Sequence, residues 1–451
     1  MSEEFRLAKM RFVSGVTLDF DYRREKLEAL YKWIQNGEDK IAEALFEDLG
    51  KSGEESYMTE TGVVLSEISF AIRHLKKWTG KHSVRTPLSL FPGKSYTLAR
   101  PYGPVLVLSP WNYPFLLSVV PLVSAIAAGN TAVLRPSGKS PRTSKLLADM
   151  LSEVFPDREV QIAIGNHALA EQLLAEPFRL IFFTGSARVG RRVQELASRH
   201  LTPTVLELGG KCPCVVSDSA DLELAARRIA FGKLVNAGQT CVAPDFVLAS
   251  EKVRPRLEEL LVSEFKRMAP EGASSETLPK IIDAEHLSRL ERLVQNENVL
   301  CGGNALDGKF APTVLSNVSF DSPVMQEEIF GPVLPVLSFK TEIEMAARLS
   351  TMPSPLALYV FTRKKKLLRF IQRELHFGGM TVNDTLMHVA SPNLPFGGVG
   401  TSGMGRYHGE AGFKTFSHEE SILERGSLFD FKFRYPPFSK EKSKLLRFFL
   451  R

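Results

Sequence analysis

From Val105 onward the chain alternates between short apolar runs and helical patterns, and few folds accommodate that alternation. The runs "VLVLS", "TAVLR", "VQIAI", "LIFFTG" and "TVLELGG" are mostly uncharged, whereas "SKLLADMLSEVF" and "ALAEQLLA" repeat apolar residues at helical spacing. Apolar strands separated by helices predict a parallel sheet of the nucleotide-binding kind. A second alternating set follows from Cys214 to about Gly405, with "PCVVS", "FVLAS", "RLEELLVSEFKRM", "PVLPVLSF" and "LALYVFT". There is no internal repeat.

Ahead of these sets lie two amphipathic patterns. Leu27, Leu30, Tyr31 and Ile34 share one helical face, as do Leu65, Ile68, Ile72 and Leu75. "VRTPLSLFPGKSYTLARPYG" reads as a hairpin around Pro92-Gly93. With 451 residues, two or three domains are expected. The N-terminus "MSEEFRLAKM" lacks the apolar core of a secretion signal, and four cysteines fit a reducing compartment, so a cytoplasmic protein is expected. The most apolar stretch, "LLSVVPLVSAIAAGNTAVL", is interrupted by Pro121 and Gly129-Asn130 and reads as a buried helix and strand. Net charge is +6, and seven Lys/Arg against one Glu within 432–451 account for all of it. The basicity therefore belongs to a tail and does not describe a nucleic-acid-binding surface.

Three motifs carry chemistry. In "FFTGSARVG" a strand ends at Gly185-Ser186 and a helix begins with Gly190 in its first turns; free N–H groups there suit a phosphate, although a plain strand-to-helix turn reads the same. In "LELGGKCP", Glu207 sits in an otherwise apolar strand before Gly209-Gly210. It is either a desolvated general base or an edge glutamate facing water. In "SPWNYP", Asn112 between two prolines is either an amide aimed at an oxyanion or an ordinary turn residue. Cys241, after the helical "ADLELAARRIAFGKLVNA", is either a thiol held for reaction or a small buried hydrophobe. Cys212 and Cys214 read as strand residues, and no metal site is indicated.

Taken together, "SPWNYP", "FFTGSARVG", "LELGGK", "GQTC", "EEIFGPV" and "LPFGGVGTSGMGRYHG" resemble, in order and spacing, the aldehyde dehydrogenase superfamily over nearly the whole chain. "VNDTLMHVASPNLPFGGVGTSGMGRYHG" and the ending "RYPPFSKEKSKLL" are similar to its class 3 branch. The resemblance implies an α/β fold: a Rossmann-like cofactor domain (1–80 and 101–208), an α/β catalytic domain (209–408), and a small β bridging element (81–100 and 409–430) that joins a homodimer, followed by a basic tail (431–451). It implies oxidation of an aldehyde to the acid with NAD or NADP. Cys241 would form a thiohemiacetal and then a thioester, Asn112 would stabilise the oxyanion, and Glu207 would activate water. Gly185, Ser186, Gly190 and Gly210 would meet the cofactor, and Glu328 and Phe330 would grip the nicotinamide ribose. Tyr113, Leu117, His388 and Phe396 would line an apolar substrate pocket for medium-chain aliphatic or aromatic aldehydes.

One departure concerns cofactor choice. The family's usual K-P-S-E reads "RPSGK" here, so Arg135 replaces the lysine and Gly138 the glutamate. The missing carboxylate removes a repulsion against a 2′-phosphate, and Arg135 or Lys139 could pair with one. The tail "FSKEKSKLLRFFLR" mixes cations with Leu and Phe, which suits either adsorption to an anionic membrane or packing on the protein's own surface. Two rival activities remain at this point: transfer of the acyl group to coenzyme A, which needs no base such as Glu207, and Cys/His hydrolysis without redox chemistry.

Overall fold

The computed structural model describes every residue except Phe429 and Arg451; the tail's last cation, Arg451, therefore lies outside the described residues. The first alternating set forms a six-stranded sheet in the order Gly403–Met404, Thr204–Leu208, Leu180–Gly185, Pro104–Leu108, Thr131–Arg135, Val160–Ile162. Its five long-range pairings run parallel apart from Gly403–Met404, which closes one edge antiparallel to Thr204–Leu208. Gly403–Met404 comes from the stretch expected to belong to the catalytic region, so the first sheet is completed by a later part of the chain. The central strand Pro104–Leu108 is buried at every position, because helices cover both faces. One cover is Leu116–Ala128, buried along nearly its whole length; on the other face lies the N-terminal helix Glu3–Val13, which places Phe5 and Ala8 against the sheet. That N-terminal helix was not anticipated from the pattern.

The second set forms a seven-stranded sheet in the order Asn298–Cys301, Thr313–Ser316, Val333–Phe339, Phe246–Ser250, Pro213–Val216, Ala357–Phe361, Gly379–Val382. Only Asn298–Cys301 is antiparallel. Cys214 is a strand residue, as read from the sequence, and Cys212 stands just before that strand.

A third sheet contains His82–Val84, Gly93–Pro101 and Ser417–Arg425, all antiparallel. The expected hairpin is there, and the segment after Gly409 joins it once the helix Gly409–Thr415 has ended. The tail helix Lys440–Phe449 has no buried residue; its Phe449 ring stacks on Phe433 at 5.6 Å. Among the described residues no helix is long and apolar enough to cross a membrane.

Residues from the strand ends of both large sheets line one cavity. Asn112, Ser186 and Glu207 lie at or just beyond the carboxyl ends of first-sheet strands, where open α/β sheets bind ligands. Cys241 and Phe330 stand just ahead of second-sheet strands.

Candidate functional site

The loop that carries Cys241 is built on an uncommon turn. The helix Leu222–Leu234 ends, and Asn236, Ala237 and Gly238 all take left-handed backbone angles, with φ of 53°, 51° and 72°. Such angles cost a non-glycine residue roughly 1–2 kcal/mol, so the surroundings must impose them. At Gly238 a Cβ would lie 2.2 Å from the Gly331 carbonyl oxygen, so only glycine fits. The Asn236 amide donates to the carbonyls of Asn112 (2.7 Å) and Gln239 (3.1 Å). Gln239 in turn donates to the Lys280 carbonyl (2.9 Å) and accepts from the Ile282 N–H (3.0 Å). The Asn112 side chain donates to the Gln239 carbonyl at 2.9 Å. Asn112, Asn236 and Gln239 are buried, so the bonds among them form away from competing water.

Cys241 is shared by two cavities. One, of about 300 Å³, has Trp111, Asn112, Thr184, Gly185, Ser186, Glu207, Gly209, Glu328 and Phe330 in its walls. The other, of about 150 Å³, is walled by Tyr113, Leu117, Phe231, Leu386, Phe396, Tyr407 and His408 and is strongly apolar. A thiol in the walls of two cavities, one bearing carboxyl and amide groups and the other apolar, is reached from two directions.

Glu207 is 3% exposed and sits in a strand paired on both sides, opposite Thr184 and Gly403. The reading of it as a water-facing edge residue is therefore wrong. Neither carboxyl oxygen has a hydrogen-bond partner among the described residues, and burial holds the group well above the usual carboxylate range. Burial also lifts Glu328, to about 8, helped by the charge of Asp245 and opposed by the Gly210 N–H. The Cys241 thiol is pushed up to about 12, first by burial and then by Glu328 and Glu207.

The first cavity fits a dinucleotide. Strand Leu180–Gly185 runs into Ser186, whose side chain caps the helix Ala187–Ala197 by accepting from the Val189 N–H. Gly190 faces away from the cavity and lets that helix approach Leu208, whose methyl would stand 2.7 Å from a Cβ. Phe330, at φ 48°, sets its ring edge-on to Trp111 at 5.4 Å. Glu328 leaves one buried oxygen without a partner. A ligand bearing hydroxyls and phosphates would satisfy these groups.

Arg135 is held by one of its guanidinium nitrogens. It donates to the carbonyls of Gly165 and Asn166, both at 3.2 Å, and Lys139 is 2.7 Å from Asp283. Gly138 borders open space, with the nearest atom 3.9 Å from a Cβ. His388 is misplaced in the sequence reading. Its Nδ1 is engaged with the Thr381 hydroxyl at 2.9 Å, and its ring lies 6.2 Å from Phe396, outside the cavity wall.

A family model described as the aldehyde dehydrogenase family matches residues 3–422. The chain belongs to the aldehyde dehydrogenase family. It is 41% identical over 456 residues to the 4,4'-diaponeurosporen-aldehyde dehydrogenase of Staphylococcus aureus, covering 100% of this chain and 99% of that protein. It is 40% identical over 442 residues to the dimeric NADP-preferring aldehyde dehydrogenase of Rattus norvegicus, covering 97% and 98%. A solved structure of substrate-bound Staphylococcus aureus AldH superposes with a TM-score of 0.97, at 41% identity and over 100% and 99% of the two chains. The activity is NAD(P)-dependent oxidation of an aldehyde to its acid.

Several residues of this aldehyde dehydrogenase site went unread in the sequence. Trp111 stood inside a quoted motif and could have been taken with Asn112. His408, not His388, is in the apolar wall, with its Nδ1 3.4 Å from the Glu67 carboxylate. Lys51, Glu55 and Glu60 gave no signal: Lys51 lies in a connection between helices, and Glu55 and Glu60 are charges in short helical turns.

Proposed function

We propose that Cys241 captures the aldehyde covalently and that Asn112 and Glu207 serve the steps before and after its oxidation. The observation that carries this reading is the sharing of one thiol by a cavity that holds Asn112 and Glu207 and an apolar cavity that holds neither. The Cys241 sulfur adds to the carbonyl carbon, the developing oxyanion takes the free N–H of the Asn112 amide and the backbone N–H of Cys241, and the thiol proton passes to that oxygen to give the thiohemiacetal. Gly185, Ser186, Glu328 and Phe330 in the larger cavity would hold NAD(P)+, which would supply a hydride acceptor; loss of the hydride and of the thiohemiacetal hydroxyl proton leaves a thioester on Cys241. Glu207 then takes a proton from water, which attacks the thioester carbon and releases the acid, and the sulfur recovers its proton. A carboxyl lifted by burial is a base matched to neutral pH. Its presence favours hydrolysis over transfer to coenzyme A.

In this scheme residues 1–80 and 101–208 form the cofactor domain and meet the cofactor through Gly185 and Ser186, and residues 209–408 carry the thiol and reach the cofactor through Gly210, Glu328 and Phe330. The open space at Gly138 supports acceptance of NADP alongside NAD, and the rat relative is named NADP-preferring. Tyr113, Leu117 and Phe396 favour medium-chain aliphatic or aromatic aldehydes. A panel from acetaldehyde to decanal, with benzaldehyde and succinic semialdehyde, tests this: kcat/KM should rise roughly fourfold per methylene until the cavity is filled. The chain would act as a homodimer in the cytoplasm. The exposed edge strand His82–Val84 is available to a second copy. The tail leaves Phe438, Phe448 and Leu450 exposed beside its cations and would adsorb weakly to anionic membranes. Vesicle co-sedimentation unchanged on deleting 440–451 counts against that contact.

The test of the chemistry is Glu207→Gln. Mixing this variant with aldehyde and NAD(P)+ should give one burst of reduced cofactor per active site, followed by turnover slowed about 10²–10⁴-fold. Undiminished steady turnover removes Glu207 from its role.

A further inference from the structure

Lys51 and Glu60 form an ion pair that no water reaches: both side chains are 0% exposed, with Nζ and Oε1 2.5 Å apart. Such a pair gives little net stability, because removing two charges from water costs about as much as their attraction returns. What the pair touches is more informative. The Glu60 Oε2 accepts from the N–H groups of Phe115 (2.9 Å) and Leu116 (3.1 Å), at the start of the helix Leu116–Ala128. The Lys51 ammonium donates to the Asn112 carbonyl (3.3 Å) and stands 4.1 Å from the centre of the Tyr113 ring. The two charges therefore grip the turn 112–116 from both ends.

That turn reaches the Cys241 loop through two bridges. The Asn112 amide bonds the Gln239 carbonyl at 2.9 Å, and the Tyr113 hydroxyl bonds the Thr240 hydroxyl at 2.5 Å. Lys51 touches both residues at the near end of those bridges. From the far side, Glu55 accepts from the Asn236 N–H at 2.6 Å, and the Asn236 amide returns to the same Asn112 carbonyl that Lys51 holds. Glu60 reaches its place from the π-helical turn Tyr57–Thr61, an uncommon widening that often marks functional sites.

We infer that Lys51 and Glu60 are positioning residues, which fix the Asn112 amide relative to the Cys241 sulfur so that the oxyanion forms within its reach. This rests on the proposed roles of Cys241 and Asn112. Displacing a reacting geometry by about 1 Å can cost on the order of 10²-fold in rate. Loss of the pair should therefore appear in the chemical step and leave cofactor affinity intact.

The experiment uses the full-length enzyme in excess over octanal, with saturating NAD(P)+, and follows reduced cofactor through a single turnover. The variant is Lys51→Met with Glu60→Gln, which removes both charges of the pair together. The rate constant should fall at least tenfold, with amplitude per folded enzyme and cofactor Kd each within threefold of the parent. A structural role alone would lower the amplitude and spare the rate constant. A rate constant less than tenfold below the parent's, or a loss confined to amplitude, overturns the inference. If the double variant does not fold, Lys51→Arg keeps the charge but moves the donors. It should slow the same step at least fivefold, and a smaller effect overturns the inference equally. Cys241→Ala separates the two levels. Turnover by Cys241→Ala defeats the reading of the site, whereas a silent Cys241→Ala beside a fast double variant defeats only the positioning role.

Discussion

The side-chain amide of Asn112 donates to the backbone carbonyl of Gln239 across 2.9 Å, tying the turn after a first-sheet strand to the loop that ends at Cys241. The bond uses one of two amide hydrogens and leaves the other for a ligand, on the cavity side where Asn112 and Cys241 both form wall. Asn112→Ala removes donor and tether together. It should lower kcat about 10²–10³-fold, the cost of one oxyanion donor. Steady-state kinetics beside a thermal melt checks this; a kcat within fivefold of the parent contradicts it.

The thiol's reactivity should follow pH in a characteristic way. With its pKa pushed up to about 12, Cys241 in the free enzyme is almost wholly protonated near neutrality. Alkylation by iodoacetamide without cofactor, read by peptide mass mapping, should rise about tenfold per pH unit from 8 to 10 with no plateau. Glu328, at about 8, is ionised at pH 9 and raises the thiol's pKa. Glu328→Gln should therefore speed alkylation at pH 9 and leave it unchanged at pH 6.5, where the carboxyl is already protonated.

Glu328 also links stability to pH. Its folded value of about 8 lies above the ordinary 4.5, so between these values the folded state holds a proton that the unfolded state has released. Stability is then full below pH 4.5 and declines as pH rises through 8. Relative to the parent, Glu328→Gln should gain little at pH 5 and on the order of 2 kcal/mol at pH 8.5. Melts at both values test the sign, and an equal gain at the two values contradicts it.

Much of this was legible in the sequence, for a physical reason. Parallel strands buried on both faces must be apolar throughout, so the runs around Val105, Ile181 and Val205 stood out, and ligand chemistry falls at their ends. Glu207 was conspicuous because a carboxylate inside such a run is anomalous, although its burial needed the neighbouring strand Gly403–Met404, about two hundred residues later. Lys51 and Glu60 were illegible because each looks like a solvated charge until other elements close over it. His388 and His408 could not be told apart from local sequence. Their difference is tertiary: His408, with φ 73°, stands at the N-cap of the helix Gly409–Thr415 and lines the apolar wall, whereas His388 engages Thr381. The contacts of Arg135 were illegible because the carbonyls that engage its guanidinium come from thirty residues on.

Cofactor choice can be moved at Gly138. A glutamate there meets no steric barrier and would place a negative charge where the sequence reading expects the adenosine ribose. Gly138→Glu should lower kcat/KM for NADP+ at least tenfold and change that for NAD+ less than threefold. In the parent, an NAD preference above about a hundredfold, roughly 2.7 kcal/mol, contradicts the proposed acceptance of NADP.

The most direct measurement is intact mass spectrometry of the Glu207→Gln variant, acid-quenched after mixing with octanal and NAD(P)+. One octanoyl group should be found per chain, mapped to the peptide containing Cys241 and absent when NAD(P)+ is omitted. Full consumption of aldehyde with no acyl group on that sulfur, or with the group on another residue, would contradict covalent capture by Cys241.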